Sequence, residues 1–277
     1  MKSSVITGVS TGIGYETARL LVGRGWRVYG SVRKQADADR LQQELGQGFT
    51  PLLFDVTDEG AIATAVAQIP APLTALINNA GIAEPAPLMH LPLEEFRQHL
   101  EINVTGVLAV TQAFLPLLGA QLNWPHPPGR IINISSVSGR IVYPFMGAYA
   151  ASKHALEAMS DALRRELLLY GIDVILIEPG TVKTPIIGKF AGQVARYMQT
   201  DYGRILQPLA AQVEKREQSA LPVERVTAVI LQALESDHPR TRYPIPRKRL
   251  TGWLLPRWLP DRWFDRLVAR QLKIGKR

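Results

Sequence analysis

The feature that most constrains this chain is a rhythm. Short apolar runs, Ser4–Thr7, Arg27–Val32, Pro51–Phe54, Ala75–Ile77, Arg130–Ile134 and Asp173–Ile177, alternate with longer amphipathic segments such as Tyr15–Gly23, Leu93–Leu118 and Tyr149–Tyr170. The runs are rich in Val, Ile and Leu with little polar alternation, the pattern of strands covered on both faces. Strand–helix repetition of this kind predicts parallel strands joined by right-handed crossovers, an α/β doubly wound sheet. The 277 residues are enough for one large domain with a buried core. No solenoid-type internal repeat interrupts the rhythm.

Composition narrows the chemistry. There is no cysteine, which excludes disulfides, thiolate metal sites and a thiol nucleophile. No two His or carboxylate groups stand at metal-ligand spacing around His154, so no metal is expected and that histidine reads as a helix-packing residue. The first residues, MKSSVITG, run straight into a strand without a secretory signal pattern, and no uninterrupted apolar stretch is long enough to span a bilayer. The expectation is a cytoplasmic protein, with membrane association left open.

The net charge of +8 is unevenly placed: from Arg240 to Arg277 there are twelve Lys/Arg and two Asp/Glu, so the rest of the chain is slightly acidic. That balance disfavours nucleic-acid binding. In the basic tail, tryptophans and prolines (Trp253, Pro256, Trp258, Pro260) lead into Asp261–Leu272, where Phe264, Leu267, Val268 and Leu272 fall at helical spacing. Two readings stay open. A basic amphipathic helix with tryptophans suits peripheral contact with a membrane. The same apolar stripe suits folding back over the domain near a substrate entrance or a subunit partner. The expected organisation is a domain over residues 1–243 with a basic helical extension over 244–277. The proline-rich stretch Gln121–Gly129, which holds His126, reads as a surface loop.

Thr7-Gly8-Val9-Ser10-Thr11-Gly12-Ile13-Gly14 follows the first strand and opens the first helix. Glycines there let backbone N–H groups approach a pyrophosphate, and the helix N-terminus adds partial positive charge. The spacing differs from the commoner GxGxxG. Arg33 ends the second strand, where an acidic residue would hold ribose hydroxyls and a basic one a 2′-phosphate. With Lys34 beside it and Val32 unable to bond a ribose, NADP(H) is preferred over NAD(H), which stays possible; a solvated arginine is the alternative. Asp55, followed by Val56, suits either the adenine amino group or capping of the helix near Asp58. Asn78-Asn79-Ala80-Gly81 ends a strand in small residues beside which a cofactor would lie, or simply makes a turn.

Tyr149 and Lys153, in YAASK, are four residues apart and share one helix face. An ammonium near a phenol lowers the phenol's pKa and makes it usable as a general acid or base. Ser136 stands thirteen residues earlier, just after a strand; Ser135 and Ser138 compete, and spacing favours Ser136. Asn103, inside a helical pattern, has either a bonding role or a kinking one.

Together TGVSTGIG at Thr7, NNAG at Asn78, INVTG with Asn103, the serine at 136, YAASK at Tyr149 and PGTVKT at Pro179 resemble the short-chain dehydrogenase/reductase family, from Lys2 to about Tyr243. Within it the chain is similar to the hydroxysteroid and retinol dehydrogenase branch. The resemblance implies a Rossmann-like fold, a nicotinamide cofactor and an Asn103–Ser136–Tyr149–Lys153 tetrad. In it Tyr149 exchanges the proton, Lys153 binds the nicotinamide ribose, Ser136 orients the carbonyl and Asn103 holds a water. It implies a cofactor site made of Gly8, Ser10, Thr11, Gly12, Ile13, Gly14, Arg33, Asp55, Val56, Asn79, Ala80, Gly81, Pro179, Gly180, Val182 and Thr184. It further implies a lid over 183–220 and a homodimer or homotetramer. Tyr143, Phe145, Met146, Ile186, Ile187 and Phe190 would face a bulky hydrophobic alcohol or ketone such as a steroid or retinoid. The runner-up is a non-catalytic protein that senses dinucleotides through the same fold.

Overall fold

The computed structural model describes residues 1–185, 190–211 and 218–274. Seven parallel strands form one sheet: β1 Ser3–Ile6, β2 Arg27–Val32, β3 Phe49–Leu53, β4 Ala75–Asn78, β5 Arg130–Ile134, β6 Asp173–Pro179 and β7 Arg242–Ile245. Their order is β3-β2-β1-β4-β5-β6-β7. The continuous apolar runs follow from a strand's period of two with both faces covered. Ile6, Val28, Ile77, Ile132 and Ile175 enter one core with Leu21 and Ile230. Their neighbours Val5, Leu76, Ile131 and Val174 enter the other with Val110, Phe114 and Leu118. Each such side chain, fully removed from water, stabilises by about 1.5–3 kcal/mol.

Strand β7 is the one the apolar rhythm did not reveal. It places Tyr243 and Ile245 inward and carries Pro244 at the sheet edge, where a missing N–H is tolerated. The chain therefore crosses residue 243 inside a strand and not at a linker.

Helices α1 Gly12–Gly23, α2 Gln35–Leu45 and α3 Glu59–Val66 connect the first four strands. Leu93–Leu118 is one continuous helix: α4 Leu93–Leu100, a π-helical turn Glu101–Thr105, and α5 Gly106–Leu118. By length and composition it could cross a membrane, contrary to the sequence expectation. Here it lies against the sheet, with Asn103, Val107, Val110, Phe114 and Leu118 all buried. Helix α6, Gly147–Glu166, packs beside it. A buried polar chain fixes both to the strands: the Asn78 amide donates to Thr111 and Asn133, and the Asn133 amide donates to Ser160.

The tail folds back on one side and stays open on the other. Trp253 is buried, Phe264 meets Tyr143 edge-on at 5.9 Å between ring centroids, and Leu272 and Ile274 pack on the cluster around Phe145. The helix Asp261–Leu272 carries the outward face.

Candidate active site

Strand order reverses between β1 and β4, and the crevice outside their C-terminal ends is where open α/β sheets bind ligands. The glycine loop sits there. Gly8 and Gly12 have φ of +71° and +65°, a conformation other residues rarely adopt. A Cβ on Gly14 would stand 2.3 Å from the Gly8 carbonyl oxygen and 2.5 Å from the Asn79 amide, so only hydrogen fits. Ser31 accepts from the Gly8 N–H, and Asn79 bonds the carbonyls of Thr7 and Gly8 while Thr7 Oγ1 accepts from the N–H groups of Asn79 and Ala80. These bonds lock the turn without using the first-turn amides of α1. No side chain caps that helix, and its first turn carries no acid. An uncapped N-terminus beneath a glycine turn suits a pyrophosphate, so the residues present fit a dinucleotide.

At the rim, Arg33 is 74% exposed and stands 3.7 Å from Asp55. Asp55 itself accepts from the N–H and hydroxyl of Thr57, whereas the cap of α3 is Asp58. Val56 is buried under the start of α5, close to Gly106. A second cation belongs here that the sequence reading missed: Arg40 donates to the Ser10 carbonyl at 2.8 Å, held between Asp37 and Glu44. Its signal lay in the helical spacing of Asp37, Arg40 and Glu44, but the approach to Ser10 required the fold. On the far side, β6 ends at Pro179, and the Gly180 N–H donates to Ile245 of β7. Val182 pairs with Leu221. Thr184 reaches over the glycine loop, its methyl 3.3 Å from where a Gly12 Cβ would be. Thr11 is exposed and Ile13 half-buried at the mouth.

The four tetrad residues converge beside this loop. Ala80 lies against Gly8, 3.0 Å from where a Cβ would be. At the next residue, a Cβ on Gly81 would stand 2.9 Å from Asn103 Oδ1 and 3.8 Å from Lys153 Nζ. Asn103 is buried in the π-helical turn, where its side chain accepts from the Ile82 N–H and donates to the Ile82 carbonyl and Ser152. Asn103 thus has a bonding role, and it sits in the π-helical turn. Lys153 donates to the Ile134 carbonyl at 2.8 Å and lies 5.8 Å from the centroid of the Tyr149 ring. Ser136 accepts from the Ser138 N–H and faces the Pro179 carbonyl at 3.4 Å. Ser135 is buried toward Gly139 and Glu157 instead.

Electrostatics corrects one expectation. Burial pushes the Tyr149 phenol up from its ordinary value, and the Ser136 hydroxyl only partly pulls it back. The low-dielectric setting penalises the phenolate directly. Burial also lowers Lys153 to about 8, with Glu157 holding it up. Behind the lysine lies a charged cluster. Glu157 and Glu178 are buried, with Arg242 3.0 and 3.4 Å from them and Arg140 at 3.5 and 3.7 Å. Burial and the neighbouring Glu157 push Glu178 up to about 7, against the pull of both arginines.

On the substrate side the predicted residues divide. Tyr143 lines an apolar cavity of about 330 Å³ with Leu255, Leu259, Phe264 and Val268 of the tail. Phe145 is buried with Ala86, Val194 and Tyr197 and has a left-handed φ of +70°. Met146 bridges to Ala86. Ile186 and Ile187 lie outside the described residues, as does the side chain of Phe190. His154 is exposed and bonded to the Ala150 carbonyl one turn back on its own helix, and no metal-binding group occurs among the described residues.

A family model described as short chain dehydrogenase matches residues 2–194. The chain is similar to an NADPH-dependent 3-dehydrocapnine reductase of Ornithobacterium rhinotracheale, 41% identical over 99% of this chain and 98% of that protein. It is also similar to retinol dehydrogenase 5 of Mus musculus, 31% identical over 95% of this chain and 86% of that one. Among solved structures it resembles the closed form of serine dehydrogenase complexed with NADP+. The TM-score is 0.73 at 26% identity, covering 88% of this chain and 94% of that one.

Proposed function

The chain belongs to the short-chain dehydrogenase family, with a retinol dehydrogenase among its relatives, and on that premise we propose that this NAD(P)-dependent oxidoreductase uses NADPH to reduce a ketone on a bulky, largely apolar molecule. The observation that carries the reading is a chain of contacts. Gly8 packs on Ala80, Gly81 approaches Lys153 Nζ, and Lys153 approaches the Tyr149 ring. The proton-handling groups thus adjoin the dinucleotide cradle.

When bound, the nicotinamide supplies the hydride. Tyr149, protonated at neutral pH because burial raises its pKa, donates a proton to the developing alkoxide. Ser136 positions the same oxygen. Lys153, still largely charged at neutral pH with a pKa of about 8, stabilises the phenolate left behind and would hold the nicotinamide ribose of a bound cofactor. Asn103 ties the turn after β4 to α6 through Ile82 and Ser152 and keeps the lysine's surroundings fixed. Arg33, 74% exposed and only loosely paired with Asp55, offers the cradle's rim a guanidinium that suits a 2′-phosphate, with Arg40 beside it on the Ser10 carbonyl. The NADPH-dependent relative, 41% identical along nearly the whole chain, supports both the cofactor preference and the reductive direction.

The test is turnover of 3-dehydrocapnine, retinal, a steroid ketone and a small ketone, each with NADPH and with NADH. The expected result is a higher kcat/KM with NADPH and with the bulky ketones. Preference for NADH, or for the small ketone, overturns the reading at that point. Cofactor binding without turnover of any ketone leaves the dinucleotide-sensing alternative.

A further inference from the structure

The C-terminal extension folds back with only part of its apolar surface. On the helix Asp261–Leu272, Phe264, Val268 and Leu272 are half-buried along the inward face. The outer side keeps Trp263 62% exposed, Leu267 at the border between the two sides is 50% exposed, and Trp258, just before the helix, is 83% exposed. Water-facing tryptophans are costly unless something covers them.

Cations frame this apolar stripe. Arg257, Arg262, Arg266, Arg270 and Lys273 are all exposed, against the two acids Asp261 and Asp265. Trp263, Arg266, Leu267 and Arg270 recur at one-turn spacing, so apolar and guanidinium groups share one face. Among the described residues, Arg262, Arg266 and Arg270 have no carboxylate partner in an ion pair. Further toward the domain, Arg247, Lys248 and Arg249 are exposed too. The remainder of the chain is slightly acidic, so the chain's excess positive charge resides in this C-terminal segment.

We propose that the outward face of the C-terminal extension, built on Trp258, Trp263 and Leu267 and ringed by arginines, is a docking surface for an anionic lipid bilayer. Tryptophan rings sit at the headgroup level with their N–H groups hydrated, Leu267 enters the acyl boundary, and long arginine side chains reach the phosphates. Charge complementarity selects this occupant: an anionic bilayer offers a dense negative surface, whereas a second copy offers a domain close to neutral and, in a symmetric pair, its own basic tail. The geometry also gives docking a purpose. The inner side of the same segment, with Tyr143 and with Leu267 and Arg270 at the border, walls the apolar cavity of about 330 Å³. A chain seated on a bilayer through the outer side holds that cavity close to the membrane surface, where apolar molecules concentrate.

The experiment is co-sedimentation of the full chain with vesicles of phosphatidylglycerol mixed with phosphatidylcholine, and of phosphatidylcholine alone. The expected result is binding to the anionic vesicles that weakens as salt rises. Trp258→Ala/Trp263→Ala should lower the partition coefficient by about tenfold or more, and Arg262→Gln/Arg266→Gln/Arg270→Gln should abolish the preference for anionic lipid. Because all these side chains are exposed, Tm should stay unchanged in every variant, which separates lost docking from lost folding. The readout needs no catalysis and stands apart from the reductase reading. Equal partition of wild type and the tryptophan variant overturns the proposal. So does a concentration-dependent dimer that the tryptophan variant loses while neither form binds vesicles, which would assign the face to a second copy.

Discussion

At the scale of single residues, Tyr149 and Lys153 show what spacing can and cannot convey. Their four-residue separation placed them on one face of α6 in the sequence and does so in the structure. The direction of the phenol's pKa was not legible, because it depends on burial, which only the assembled cleft decides. Arg40 was illegible for a similar reason: nothing local ties it to Ser10, thirty residues earlier. Tyr149→Phe removes the donated proton while leaving the cradle intact. It should lower kcat by about 10²–10⁴-fold with little change in NADPH Kd, read by steady-state kinetics and fluorescence titration. Lys153→Met tests the lysine's burial. In the folded state the lysine's pKa falls from 10.5 to about 8. Below about 8 both folded and unfolded chains hold the proton, and the buried ammonium costs the fold on the order of 3 kcal/mol. That cost fades as pH rises toward 10.5. The variant without cofactor should therefore unfold at higher urea than wild type at pH 7, with the gap closing toward pH 10.

At the scale of elements, the apolar rhythm was a good guide where strands are central and a poor one at the edge. Arg27–Val32 and Arg130–Ile134 have the bounds read from their sequence. Strand β7, four residues long with a proline inside, has too little apolar run to stand out, and pairing with β6 is what makes it a strand. The interruption of Leu93–Leu118 at Asn103 was visible only as an unfavourable residue, because a π-helical turn has no composition of its own. What keeps α5 and α6 in place over the sheet is the buried Asn78–Asn133–Ser160 chain. Asn133→Ala removes two buried hydrogen bonds, from the Asn78 amide and to Ser160, and leaves those groups only Thr111 and the Leu156 carbonyl as partners. It should cost about 1–3 kcal/mol in urea unfolding, a larger loss than the exposed Asn123→Ala should cause.

At the scale of the molecule, the cleft lies where the two halves of the sheet diverge, so a ligand there bridges elements from both. Binding to the folded chain alone must then stabilise it. NADPH at about a hundred times its Kd contributes about 2.7 kcal/mol, which for a domain of this size raises Tm by roughly 5–10 °C, and NADH at the same concentration should raise it less. The doubly wound architecture and the glycine loop were legible because they follow from local pattern. The tail's division into an inner and an outer face was not, since the same stripe suits either use until a neighbour is present. The claim on which all scales depend is that Tyr149 protonates a ketone beside the dinucleotide cradle while a hydride arrives from the cofactor. It is tested most directly by reducing whichever ketone of the panel turns over fastest with NADPH deuterated at the nicotinamide C4 and locating the label by mass spectrometry and NMR. The account predicts deuterium on the new carbinol carbon with wild type, and transfer slowed by about 10²–10⁴-fold with Tyr149→Phe although that variant still binds NADPH. Deuterium transfer at an undiminished rate in the variant would contradict it.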